Sequence, residues 1–103
     1  MGNPKRDADT FNHAVDENHP QFVNAVSRAF SILRCFEHGT QHLGNQEIAR
    51  RTGLPKPTVS RLTFTLSSLG YLVYSSSLEK YALGTGVLSL GHATAISVVG
   101  APV

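Results

Sequence analysis

Thr52-Gly53-Leu54-Pro55 restricts the fold of this chain more than any other stretch of it. Glycine enters left-handed backbone space without a steric penalty, so a helix that ends on it can turn sharply. Proline cannot continue a helix, but at Pro57 it suits the first turn of a new one, where its missing N–H would have had no partner. The turn therefore separates two short helices and sets them at a steep angle. Upstream, Gln46 to Thr52 has Ile48 and Ala49 on an inner side and Glu47, Arg50 and Arg51 on an outer one, with Asn45 as the expected N-cap. Downstream, a helix from Lys56 to Leu69 carries Val59, Leu62, Leu66 and Leu69 in one apolar stripe. Its other positions are small or hydrogen-bonding: Thr58, Ser60, Arg61, Thr63, Thr65, Ser67 and Ser68. Phe64 is the apolar exception, and Gly70 is the expected terminator.

The flanks complete a pattern. Val26, Ala29, Phe30, Leu33 and Phe36 recur at helical steps, which predicts a first helix over about residues 24–38 stopped by Gly39. Residues 41–44 make a short connector with room for a brief strand. After Gly70, residues 71–74 and 80–83 have strand composition around Ser75-Ser76-Ser77, a hairpin. A helical pattern resumes from Val87 to Ala93, with Leu83, Val87, Leu90 and Ala93 or Thr94 on one side, and the tail from Val98 fades into small residues. Three helices, a glycine turn and then a hairpin make the fold class mainly α with a small β-hairpin wing, a winged helix-turn-helix. The expected organisation is a disordered leader over 1–21, the winged helix-turn-helix over 22–84, and a linker helix with tail over 85–103.

Composition narrows the function. The 103 residues suffice for one small domain. The net charge is only +2, yet residues 1–21 hold four acids against two bases, while residues 46–70 hold Arg50, Arg51, Lys56 and Arg61 against Glu47 alone. A local basic surface suits a polyanion, although a solvated arginine-bearing face produces the same count. The single cysteine, Cys35, lies in an apolar pattern and reads as a structural thiol. Gly39 interrupts the i, i+4 pair His38 and His42, so no metal site is expected. Scattered acids, scattered histidines and the lack of a glycine-rich phosphate loop predict no enzyme and no cofactor. No apolar run reaches membrane-helix length and no signal-peptide segment opens the chain, so the expected compartment is the cytoplasm.

A helix fits the major groove of DNA, and short polar side chains near its N-terminus reach base edges. The helix from Lys56 offers Lys56, Thr58, Ser60 and Arg61, and its N-terminal N–H groups favour a phosphate. Hydroxyls at Ser75–Ser77, with Lys80 beside them, suit a wing that touches the backbone. The alternative is a winged helix that serves as a protein-interaction module.

The run from Gln46 to Leu62, followed by Thr65-Leu66 and Leu69-Gly70-Tyr71-Leu72, resembles the IclR family of bacterial transcriptional regulators. Ala25 to Leu33 is similar to that family's opening helix, and Lys80-Tyr81-Ala82-Leu83-Gly84 to the end of its wing. The likeness covers roughly residues 22–97. It implies a DNA-binding domain that dimerises on a palindromic operator of double-stranded DNA, a linker helix over Val87 to Ser97, and a larger domain that senses a small-molecule effector. The chain stops at Val103, so an excised domain or a truncated product is expected, with any effector acting only through a domain not included. Where the family usually has Ser or His after its Pro-Lys pair, this chain has Pro57, which leaves base reading to Thr58, Ser60 and Arg61. The expected DNA-contacting set is Arg50, Arg51, Lys56, Pro57, Thr58, Ser60, Arg61, Thr65, Ser76 and Lys80.

Overall fold

The computed structural model describes residues 15–37 and 42–98, the last five of them by backbone alone. Turns at residues 17–21, in the stretch assigned to the leader, lead into α1 (Asn24–Arg34). Then come α2 (Asn45–Thr52), α3 (Lys56–Ser68), the antiparallel pair β1 (Leu72–Ser75) and β2 (Lys80–Leu83), and α4 (Thr85–Val98). Helix, helix-turn-helix and hairpin thus follow in the expected order. Residues 1–14, with His13, and residues 38–41, with the His38 and Gly39 assignments, lie outside the described residues.

The α2–α3 turn forms as its residues require. Gly53 takes a φ of 76° and its N–H donates to the Ala49 carbonyl at 2.8 Å. The Thr52 hydroxyl donates to the Ile48 carbonyl at 2.8 Å and accepts from the Leu54 N–H at 3.2 Å, so side chain and backbone close the turn together. Leu54 folds back onto the core. The end of α3 is equally specific. Gly70, at φ 89°, donates to the Ser67 carbonyl at 3.1 Å, and Tyr71 donates to the Leu66 carbonyl at 2.9 Å. This is a Schellman termination, with Tyr71 and Leu66 supplying its hydrophobic contact.

The core gathers Ile32, Phe36, Leu43, Ile48, Ala49, Val59, Leu66 and Leu72 from every element between α1 and β1. Leu43 pairs with Tyr81 through two backbone bonds of 2.9 and 2.7 Å, which turns the brief strand into a single bridge on the outer side of β2. Across the hairpin Tyr74 faces Tyr81, with ring centroids 4.9 Å apart.

Five sequence expectations need correction. The first helix ends at Arg34, with Cys35 as its cap. The N-cap of α2 is Gly44, with Asn45 inside the helix. The Asn45 side chain lies 3.0 Å from the Thr63 hydroxyl, which is also 2.9 Å from the Val59 carbonyl. The apolar stripe of α3 is rotated: Thr63 is fully buried and Leu69 is 64% exposed. α2 covers α3 on the Thr63 side, where the Asn45 side chain meets the hydroxyl, and the buried hydroxyl is tolerable because it is hydrogen-bonded. On α1, Ile32 faces the core, as does Phe36 just past its end, while Val26 and Phe30 remain largely exposed. Ser75 belongs to β1, and the hairpin turn is residues 76–79, with Glu79 at φ 56°.

Ser67 carries a hydroxyl sealed from solvent with no partner among the described residues. An unpaired buried hydroxyl is costly, and alanine is the better helix former. Ser67→Ala is therefore expected to raise stability by about 1 kcal/mol, measured by urea denaturation. A loss of stability would show that the hydroxyl has a partner.

Candidate nucleic-acid interface

Burial of Val59, Thr63 and Leu66 fixes the rotation of α3. The opposite face then presents Pro57, Ser60, Arg61, Phe64 and Ser68 to solvent, with Lys56 and Thr65 also exposed and Thr58 half-buried. Because Pro57 sits in the first turn, the free N–H groups there come from its neighbours.

Toward α1, Thr58, Arg61, Leu62 and Thr65 line a cleft of about 250 Å³ whose other wall is Ala25 and Arg28. Two guanidinium-bearing residues and two threonines thus share one notch beside the exposed face. Sequence reasoning missed Arg28. Nothing local signals its role, because it enters through the packing of α1 along α3.

Arg50 and Arg51 are arranged differently. Glu47 takes a bond of 3.0 Å from Arg50 Nε through Oε1, pairs with Arg50 Nη2 through Oε2, and also accepts from Arg51 Nε at 2.7 Å. Arg51 Nη1 donates in addition to the Cys35 carbonyl at 3.3 Å, tying α2 to the end of α1. The two guanidinium groups hold the Glu47 carboxyl down to about 2. With the folded value depressed, the stabilisation is present above the ordinary carboxylate range and is lost as pH falls toward 2. The i+3 and i+4 spacing from Glu47 was visible in the sequence and announces the fork. Of the four bases on α2 and α3, only Lys56 and Arg61 therefore stand clear of Glu47.

On the wing, Ser76 and Lys80 are exposed at the tip and at its return. The tip also presents Leu78 and Glu79, so an acid adjoins the expected basic contact. The Ser75 hydroxyl accepts from the Leu78 N–H at 3.3 Å and lies 3.2 Å from that of Ser77, so it shapes the tip internally. Cys35 is half-buried, burial pushes its thiol up, and its Sγ lies 3.5 Å from the Ser31 carbonyl, in keeping with a structural thiol.

A second surface is apolar. Val26, Ala29, Phe30 and Leu33 of α1 face Leu66, Leu69, Tyr71 and Leu83 across a groove of about 530 Å³, with Val87 and Leu90 of α4 at its far wall. α4 is joined to the rest at its start, where Gly84 N–H donates to the Tyr71 carbonyl at 2.9 Å and Gly86 N–H to the Gly70 carbonyl at 3.0 Å.

The IclR helix-turn-helix domain model matches residues 25–76, which run from α1 into the wing. The chain belongs to the IclR family. Its helix-turn-helix is the DNA-binding domain type of transcriptional regulators in that family. The chain is 46% identical over 77 residues to the HTH-type transcriptional regulator TsaQ1/TsaQ2 of Comamonas testosteroni, a match that covers 75% of this chain and 27% of that protein. Among solved structures it is similar to an IclR family transcriptional regulator from Brucella abortus, at 52% identity and a TM-score of 0.71, covering 81% of this chain and 31% of that one. A regulator from Alicyclobacillus acidocaldarius matches at 30% identity and a TM-score of 0.66, covering 74% of this chain and 30% of that one. The chain thus spans less than a third of the length of these IclR relatives. No helix among the described residues is long and apolar enough to cross a membrane. No group of three His, Cys, Asp or Glu among them is placed to hold a metal ion.

Proposed function

We propose that residues 22–84 seat α3 in the major groove of a palindromic operator as one half of a homodimer, in a cytoplasmic regulator without catalytic activity of its own. The observation that carries this reading is the exposed face of α3, which has Lys56 and Arg61 and no acid from Lys56 to Ser68. Ser60 and Arg61 stand outward to read base edges, and Pro57 lies among them on the same face. Thr58 and Thr65, with Arg28, line the notch from which hydroxyls and a guanidinium reach a phosphate. Ser76 and Lys80 touch the backbone from the wing. Arg50 contributes charge at longer range, and Arg51 chiefly braces α2 against α1.

A second copy of the chain covers the apolar groove. Exposed apolar surface of this extent marks an interface, and it runs from α1 past the end of α3 and the wing to α4. On α4, Leu88 is 72% exposed and Val87 and Leu90 line the groove. Two recognition helices about 34 Å apart then meet successive turns of one face of the duplex. In the full-length regulator, α4 would run on as a linker into a domain that responds to a small-molecule effector. Selection of duplexes from a randomised pool by the purified chain tests this reading. Recovery of an inverted repeat is expected, and a folded chain that enriches no sequence would support the protein-interaction reading instead.

A further inference from the structure

We propose that Phe64 is a specificity-determining residue that reads thymine through its 5-methyl group, an inference that rests on the seating of α3 in the major groove. Phe64 is 71% exposed and belongs to neither the core nor the apolar groove. It stands on the face of α3 opposite Val59, Thr63 and Leu66, together with Pro57, Ser60 and Arg61. Positions 57, 60, 61 and 64 form an i, i+3, i+4, i+7 set, the spacing with which a helix lying in the major groove meets its base pairs.

The chemistry of that face selects the base. From Lys56 to Ser68 there is no Asn, Gln, Asp or Glu. α3 therefore has no carboxamide to pair with the N6 and N7 of adenine, and no carboxylate to accept from the N4 of cytosine. Lysine and arginine serve guanine. Beyond adenine's N6 and N7, an A·T pair offers in the major groove the thymine O4, an acceptor that Ser60 can serve, and the thymine methyl, which is the apolar feature of the base edges there. Phe64 is the largest apolar group that α3 directs at it, and contact with that methyl would remove both from water.

The test compares Kd values of the 103-residue chain for a duplex selected from a randomised pool and for versions in which uracil replaces thymine one position at a time. At one thymine per half-site, loss of the methyl is expected to weaken binding about fourfold. Phe64→Ala should lose about the same factor on the thymine duplex and become indifferent to uracil at that position, while Phe64→Leu retains the discrimination. Circular dichroism melting of Phe64→Ala should match the parent, because so exposed a side chain contributes little packing. Equal affinity of the parent for every uracil duplex would overturn the proposal, as would a Phe64→Ala variant still sensitive to the same substitution. Failure of the folded parent to select any duplex would overturn the major-groove reading itself, and this proposal with it.

Discussion

Gly84→Ala is expected to lower stability by about 2–4 kcal/mol, a large loss for a change of one methyl group. Gly84 is buried, and a methyl there would run into the Gly70 carbonyl oxygen, with the Gly70 and Tyr71 carbonyl carbons at 3.1 and 3.2 Å. Those atoms belong to the Schellman termination of α3. They cannot retreat without straining the Tyr71 to Leu66 bond and the bond from Gly86 N–H to the Gly70 carbonyl. The wing, α3 and α4 all meet at this point, so the damage would reach the elements proposed to face DNA as well. Gly91→Ala is the control: nothing lies within 4 Å of a methyl there, and alanine favours the helix. Urea denaturation of the two variants checks the contrast, and a Gly84→Ala protein as stable as the parent would contradict the packing described.

Arg61→Ala is expected to cost about 1–3 kcal/mol on a selected operator if the guanidinium pairs with a guanine edge. Arg61 is exposed on the outer face of α3 and also borders the notch it shares with Arg28. The second position permits phosphate contact, and the two roles separate in one experiment. Loss confined to the selected duplex means base reading, whereas equal loss on selected and random duplexes means phosphate contact. Lys80→Ala should behave in the second way, with a smaller loss and an unchanged sequence preference. Binding by Arg61→Ala equal to the parent on both duplexes would remove Arg61 from the interface.

The helix-turn-helix was legible in the sequence because its rules are local. Gly53 and Gly70 end their helices through backbone conformations that glycine adopts easily, and Ile48, Ala49 and Val59 are buried where the periodicity put them. What escaped depends on how helices cross. The Val59–Leu62–Leu66–Leu69 stripe is continuous in sequence, but α2 packs on its Thr63 side and buries a threonine, while Leu69 borders the open groove toward α1 and stays bare. Val26 and Phe30 fit the helical period equally well, yet they face a groove that this chain alone leaves open. Within the candidate interface, the exposed hydroxyls and Arg61 followed from residue type and position. The part played by Arg28 did not, because only packing brings α1 to the flank of α3. The Glu47 fork was available from spacing alone and reduces the free charge that a simple count assigns to Arg50 and Arg51.

The salt dependence of binding tests the central claim most directly. In the proposed dimer, two or three phosphate contacts per subunit, drawn from Lys56, Arg61, Lys80 and Arg28, would neutralise about four to six phosphates. The logarithm of affinity for a selected duplex should then fall against the logarithm of salt with a slope of roughly −4 to −5, a loss of several hundred-fold between about 50 and about 200 mM. Tight binding with a slope near zero would contradict the electrostatic account. Absence of binding at about 50 mM by a chain shown to be folded would contradict the DNA-binding role itself.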